Sequence, residues 1–210
     1  MNKLSKRLHQ EGFTCYAPLY SGHGLPPEVF SKYTTQYWWE EVVNAYEVLE
    51  KKGYKTIFII GISLGAIFAL NLAMIKKATK LIIMSTPKSR TINDLENRFI
   101  QYAKNYNQLT GVQNSDNDSY KNLMPNQFYE DFTKLIDHTI AEVDKIKIPT
   151  FVLNGLKDDR LYVESASYIY THLSSNRKQL KGYVNAGHLM TLSKDRHDIE
   201  TDIITFINEN

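Results

Sequence analysis

Gly61-Ile62-Ser63-Leu64-Gly65 is the residue pattern best suited to chemistry in this chain. It has the G-x-S-x-G spacing of a sharp strand-to-helix turn that lifts a serine hydroxyl clear of a sheet edge. A turn this tight strains the serine backbone, and side chains at Gly61 and Gly65 are expected to collide with neighbouring elements. The helix beginning at Leu64 supplies positive potential at its N-terminus, and the Leu64 N–H is free to meet a developing oxyanion. Together these features equip Ser63 for nucleophilic acyl transfer.

A serine hydroxyl is a weak nucleophile and needs a base, and the base needs an orienting group. Asp158, in Asn154-Gly-Leu-Lys-Asp-Asp159, and His188, in Asn185-Ala-Gly-His188, offer both in the chain order Ser, Asp, His. Each follows a predicted strand. Loops after parallel strands open at the carboxyl edge of a sheet, where the Ser63 turn also opens. Asp159 competes with Asp158 for the acid position. His23, in Gly22-His-Gly24, has no partner at metal-ligand spacing and reads as structural or pocket-lining, so no metal site is predicted. His9, His138, His172 and His197 read as solvated or structural. Trp38 and Trp39 head an amphipathic helix and read as packing residues rather than a stacking surface.

To position these groups, short apolar strands must alternate with amphipathic helices. Strands are predicted at residues 13–19, 56–60, 80–84, 150–153 and 179–184. Helices are predicted at 4–10, 36–52, 64–75 and 164–173, with a last one from about Asp195. The implied class is α/β: a mostly parallel sheet flanked by helices. Residues 87–145 break this rhythm. Leu95, Phe99, Tyr102, Ala103 and Tyr106 mark one amphipathic helix; Phe128, Phe132, Leu135, Ile136 and Val143 mark another. Between them, the Asn-rich residues 113–119 are expected to be mobile. The division expected is a core of residues 1–86 and 146–210 with a helical cap, a lid, at 87–145.

Composition narrows the partners. The 210 residues are 42% hydrophobic and 23% charged, enough for one domain with a real core. Lys and Arg (25) nearly cancel Asp and Glu (23), giving a net charge of +2, which speaks against nucleic-acid binding. Cys15 stands alone, so no internal disulfide forms; a reducing, cytoplasmic setting is expected, with no secretory signal. Residues 57–75 carry no charge, yet Gly61, Ser63 and Gly65 interrupt them. They read as a buried strand, turn and helix, so no stable membrane insertion is expected.

The runs YAPLYSGHGLPP, GISLGA, NGLKDD and NAGHLMTL, with the WW-headed helix, resemble the bacterial carboxylesterases of the α/β-hydrolase superfamily, close to monoacylglycerol lipase-like esterases. The resemblance spans nearly the whole chain. It implies the α/β-hydrolase fold, small-molecule ester substrates and no cofactor, with nucleophile Ser63, acid Asp158 and histidine His188. The function it implies is a serine carboxylesterase acting on small to medium acyl esters, monoacylglycerols among them. Alternatives are a non-catalytic relative acting as a binding module, or a thioesterase or acyltransferase. Family members also carry N-terminal strands and a His-Gly-Phe-type loop that donates a second oxyanion N–H. This chain departs from them there, so the expectation is poor esterase activity or none, with residues 13–19 shifting sideways to pair in parallel with 56–60.

Overall fold

Among the described residues four short strands lie side by side in parallel: β1 (Phe58–Ile62), β2 (Lys80–Met84), β3 (Thr150–Gly155) and β4 (Lys178–Tyr183), in the spatial order β1-β2-β3-β4; the first three are largely apolar, whereas β4, KQLKGY, is mostly exposed. The computed structural model describes residues 2–112 and 120–209. Ile60 pairs with Ile82, Ile82 with Phe151, and Phe151 with Gln179. β2 and β3 are buried along their whole length, as inner strands covered on both faces must be.

Side chains alternate across a strand, so β1, β2 and β3 each feed two cores, while β4 contributes Tyr183 to one. Leu81, Ile83 and Val152 face α3 (Thr35–Lys51), α4 (Leu64–Ile75), α6 (Asn126–Ala141) and α7 (Arg160–His172), meeting Tyr46, Leu70, Ile136 and Ile169. Ile82, Met84, Phe151 and Leu153 face α1 (Asn2–Gln10) and α8 (Arg196–Asn208), meeting Leu4, Leu8, Ile199 and Ile203. This is the predicted parallel sheet between helical layers.

Between β2 and β3 the chain builds α5 (Ile92–Thr110) and α6. Thr91 opens α5 with a capping box: its hydroxyl accepts the Asp94 N–H at 3.1 Å, and Asp94 accepts the Thr91 N–H at 3.0 Å. Gly111, left-handed at φ 73°, closes it. A third apolar cluster joins Leu95, Phe99 and Phe128 from these two helices to Trp38 on α3 and Phe68 on α4. A short helix, α2 (Pro27–Phe30), precedes α3; the sequence reading missed it, although Pro27 suits a first helical position.

Residues 13–19 form no strand and do not pair with β1, contrary to expectation. Side chains tie this segment to its surroundings instead. Phe13 meets Phe58 edge-on at 5.9 Å, and the Tyr54 hydroxyl donates to Thr14 Oγ1 at 2.9 Å. Pro18 has no N–H for a ladder, and Cys15, Tyr16 and Ala17 face solvent. β1 itself begins two residues later than the predicted Thr56. The uncharged run 57–75 divides into β1, the Ser63 turn and α4; among the described residues no helix is long and apolar enough to cross a membrane. The Asn-rich stretch 113–119 lies outside the described residues.

Candidate active site

The turn from β1 into α4 holds Ser63 at φ 55° and ψ −119°, a left-handed conformation that costs about 1–3 kcal/mol. Two ties hold it there. The Ser63 N–H donates to the Met84 carbonyl on β2 at 2.9 Å, and the Ser63 carbonyl accepts the Ala66 N–H at 3.0 Å. Gly61 is obligatory, since a Cβ there would lie 2.2 Å from the Gly65 carbonyl oxygen. The expected collision does not extend to Gly65, where a Cβ would meet only the Tyr20 hydroxyl at 3.4 Å. Leu64 is the first residue of α4, so its N–H has no intrahelical acceptor.

The loops after β3 and β4 are laced together. Lys157 donates its N–H to Ala186 O at 2.9 Å and Leu156 donates to Tyr183 O at 2.9 Å. Gly155 allows this approach, because a Cβ there would sit 2.4 Å from the Ala186 oxygen. The lacing brings Asp158 to His188: Asp158 Oδ2 lies 3.0 Å from His188 Nδ1, with the Asp158 side chain 4% exposed. Asp158 Oδ1 accepts the Asp159 N–H at 2.8 Å. Asp159 turns away, capping α7 by accepting the Leu161 N–H at 3.0 Å.

His188 Nε2 lies 3.0 Å from Ser63 Oγ. In the tautomer with Nδ1 protonated, His188 donates to the carboxylate and accepts from the serine hydroxyl. An anchor holds the His188 backbone: Ser85 Oγ, on a residue held at φ 46°, donates to the His188 carbonyl at 3.1 Å. The Tyr162 ring rests against the imidazole at 4.4 Å. This relay can withdraw a proton from Ser63 during attack on a carbonyl carbon and return it to a leaving group.

Ser63 and Leu64 open into a cavity of about 230 Å³. Phe30, Trp38, Phe99 and Phe128 give it apolar walls; His23, Arg90 and Arg98 supply polar ones. Trp38 is 1% exposed and donates its indole N–H to Ser21 O at 2.8 Å, so it both packs and lines the cavity. Burial pushes the His23 imidazole below its ordinary pKa, a shift that the Ser21 and Tyr20 backbone and the Glu41 charge only partly offset. His9, His138, His172 and His197 are exposed, away from this cavity. Among the described residues no three His, Cys, Asp or Glu side chains are grouped so as to hold a metal ion. The sequence reading passed over Ser85, Arg90, Arg98 and Tyr162. Tyr162 had one available signal: it sits one helical turn after Asp158, on the helix that loop feeds.

No protein-family profile matches the chain. It is 32% identical to a carboxylesterase of Bacillus subtilis (strain 168) over 212 aligned positions, covering 98% of this chain and 85% of that protein. Solved structures share the fold. A solved chain described under LipS and LipT, two metagenome-derived lipolytic enzymes, matches with a TM-score of 0.79 at 17% identity, covering 100% of this chain and 88% of that one. A monoacylglycerol lipase of Paleococcus ferrophilus gives 0.70 at 17% identity, covering 98% and 87%. An esterase of Exiguobacterium antarcticum gives 0.66 at 15% identity, covering 99% and 86%. These likenesses establish the α/β-hydrolase fold for this chain.

Proposed function

The chain belongs to the carboxylesterases of the α/β-hydrolase fold, and from that premise we propose that it hydrolyses small to medium acyl esters through an acyl-enzyme on Ser63. The observation that carries this reading is the pair of 3.0 Å contacts at His188, one to Asp158 and one to Ser63.

In the first half-reaction His188 Nε2 takes the Ser63 proton as Oγ attacks the ester carbonyl carbon. The buried Asp158 carboxylate stabilises the imidazolium and holds its orientation. Charge gathers on the carbonyl oxygen, where the Leu64 N–H at the start of α4 donates to it. As the tetrahedral centre collapses, His188 returns the proton to the departing alcohol, leaving the acyl group on Ser63. Water activated by the same imidazole then attacks the acyl carbon and releases the acid.

Residues 87–145 serve in this reading as a cap over the core formed by 1–86 and 146–210. Phe99, from α5, and Phe128, from α6, sit in the wall of the cavity that Ser63 faces. At about 230 Å³ that cavity falls below the ~300–1,000 Å³ of drug-sized pockets, which favours short acyl chains. Ser63→Ala tests the reading: hydrolysis of 4-nitrophenyl butyrate should vanish. Turnover near the parent rate would remove Ser63 from the mechanism.

A further inference from the structure

Two guanidinium groups, those of Arg90 and Arg98, stand in the wall of the Ser63 cavity, and among the described residues no carboxylate side chain lines it. Arg90 lies over the Tyr162 ring at 4.5 Å, and its Nη2 is buried without a hydrogen-bond partner. Arg98 Nη2 donates to the Tyr162 hydroxyl at 3.3 Å, which turns the second guanidinium toward the same ring. Asp94, the carboxylate on which both arginines act, has Oδ2 committed to the Thr91 N–H in the capping box of α5. Lys88, the nearby ammonium, is taken up by Glu164 at 3.7 Å.

A buried guanidinium N–H with no acceptor is costly, and an anion reaching it would form a charge-assisted hydrogen bond. Apart from Ser63 and His23, the rest of the lining is aromatic and aliphatic. Such walls weaken competition from water and strengthen an ionic contact. A planar fork of donors matches the two oxygens of a carboxylate. We propose that the substrates are esters that themselves carry a carboxylate, held by Arg90 with Arg98 while the ester carbonyl lies at Ser63. The proposal rests on the esterase reading above and names its substrate class. Chemically, such compounds are half-esters of dicarboxylic acids or acyl esters of hydroxy acids, according to which limb bears the charge.

The experiment compares kcat/KM for two matched pairs of esters. Charge on the acyl limb is probed by 4-nitrophenyl hydrogen glutarate against 4-nitrophenyl pentanoate. Charge on the alcohol limb is probed by 3-butyryloxybenzoate against phenyl butyrate. The charged-to-neutral ratio should favour the charged ester by about tenfold or more in one pair, mostly through KM, and should fall as salt is added. Arg90→Gln should reduce that ratio by about tenfold, and Arg90→Lys, which keeps charge but loses the fork, by less. Because the ratio is internal to each variant, a general loss of folded protein does not move it. A ratio at or below unity in both pairs, or one that Arg90→Gln leaves within twofold of the parent, overturns the inference. If the neutral esters are not hydrolysed either, it is the esterase reading that fails.

Discussion

Tyr162 supports the face of His188, with ring centroids 4.4 Å apart and planes tilted by 48°, and Tyr162 itself is 2% exposed. The hydrogen bond to Asp158 fixes one edge of the imidazole; this ring contact fixes its plane. Tyr162→Phe keeps the ring and should retain kcat on neutral esters within a few fold. Tyr162→Leu removes an aromatic contact worth about 0.5–1.5 kcal/mol and should lower kcat by roughly tenfold with little change in KM. Equal kcat for the two variants would show that the ring does not position His188.

Asp158 and Asp159 are adjacent carboxylates with different partners, and substitution should separate them. An amide in place of the acid that orients a catalytic histidine can cost about 10⁴ in kcat. Asp158→Asn should fall in that direction. Asp159→Asn should leave kcat nearly intact, because an asparagine also caps a helix well; Asp159→Ala should cost about 1 kcal/mol in urea unfolding through loss of the α7 cap. The opposite ranking in kcat would assign the acid to Asp159.

The glycines of the Ser63 turn should also behave differently. A Cβ at Gly61 meets backbone 2.2 Å away, whereas one at Gly65 meets a hydroxyl at 3.4 Å. Gly61→Ala should therefore fail to accumulate as folded protein or lose several kcal/mol, while Gly65→Ala should fold with a modest loss. Equal thermal stability of the two would contradict the close packing at Gly61.

Much of this arrangement was legible in the residues. β2 and α4 run at their predicted bounds, because an apolar run after Lys80 and a helix whose one polar side chain is Asn71 leave little choice of element. The loops carrying Asp158 and His188 were legible for a similar reason, each following a strand of a parallel sheet. Residues 13–19 were not, because a strand exists only where a neighbour completes its ladder, and FTCYAPL contains apolar residues without that neighbour. Arg90, Arg98 and Tyr162 were invisible for another reason. They converge only when the start of α5 docks against α7, a tertiary event with no local signature.

Acid should weaken the fold through His23. Burial lowers its folded pKa, so the unfolded chain binds the proton more readily. The stability tied to its neutral form is then fully present above the unfolded value of about 6.5, and is lost progressively as pH falls below it until the folded value is reached. Between pH 7.5 and 5 the urea midpoint of the parent should fall more steeply than that of His23→Gln. Parallel profiles would mean that the buried imidazole is not coupled to folding.

Under the proposed function, the Ser63 cavity should respond to a change in its wall. Phe132 lines the cavity and is only half-buried, so truncating it enlarges the cavity at less than the full cost of a core deletion. Phe132→Ala should move the optimum among 4-nitrophenyl acyl esters toward longer chains, read as kcat/KM from acetate to octanoate. An unchanged optimum would place the acyl chain elsewhere.

The most direct test of the central claim is to catch the covalent intermediate. Acid quenching during turnover of 4-nitrophenyl butyrate, followed by peptide mass spectrometry, should find the butyryl mass on Ser63 in the parent protein. In His188→Ala, where nothing removes the hydroxyl proton, that adduct should not accumulate. Steady ester turnover with Ser63 unmodified, or a butyryl group carried by another side chain, would contradict the account.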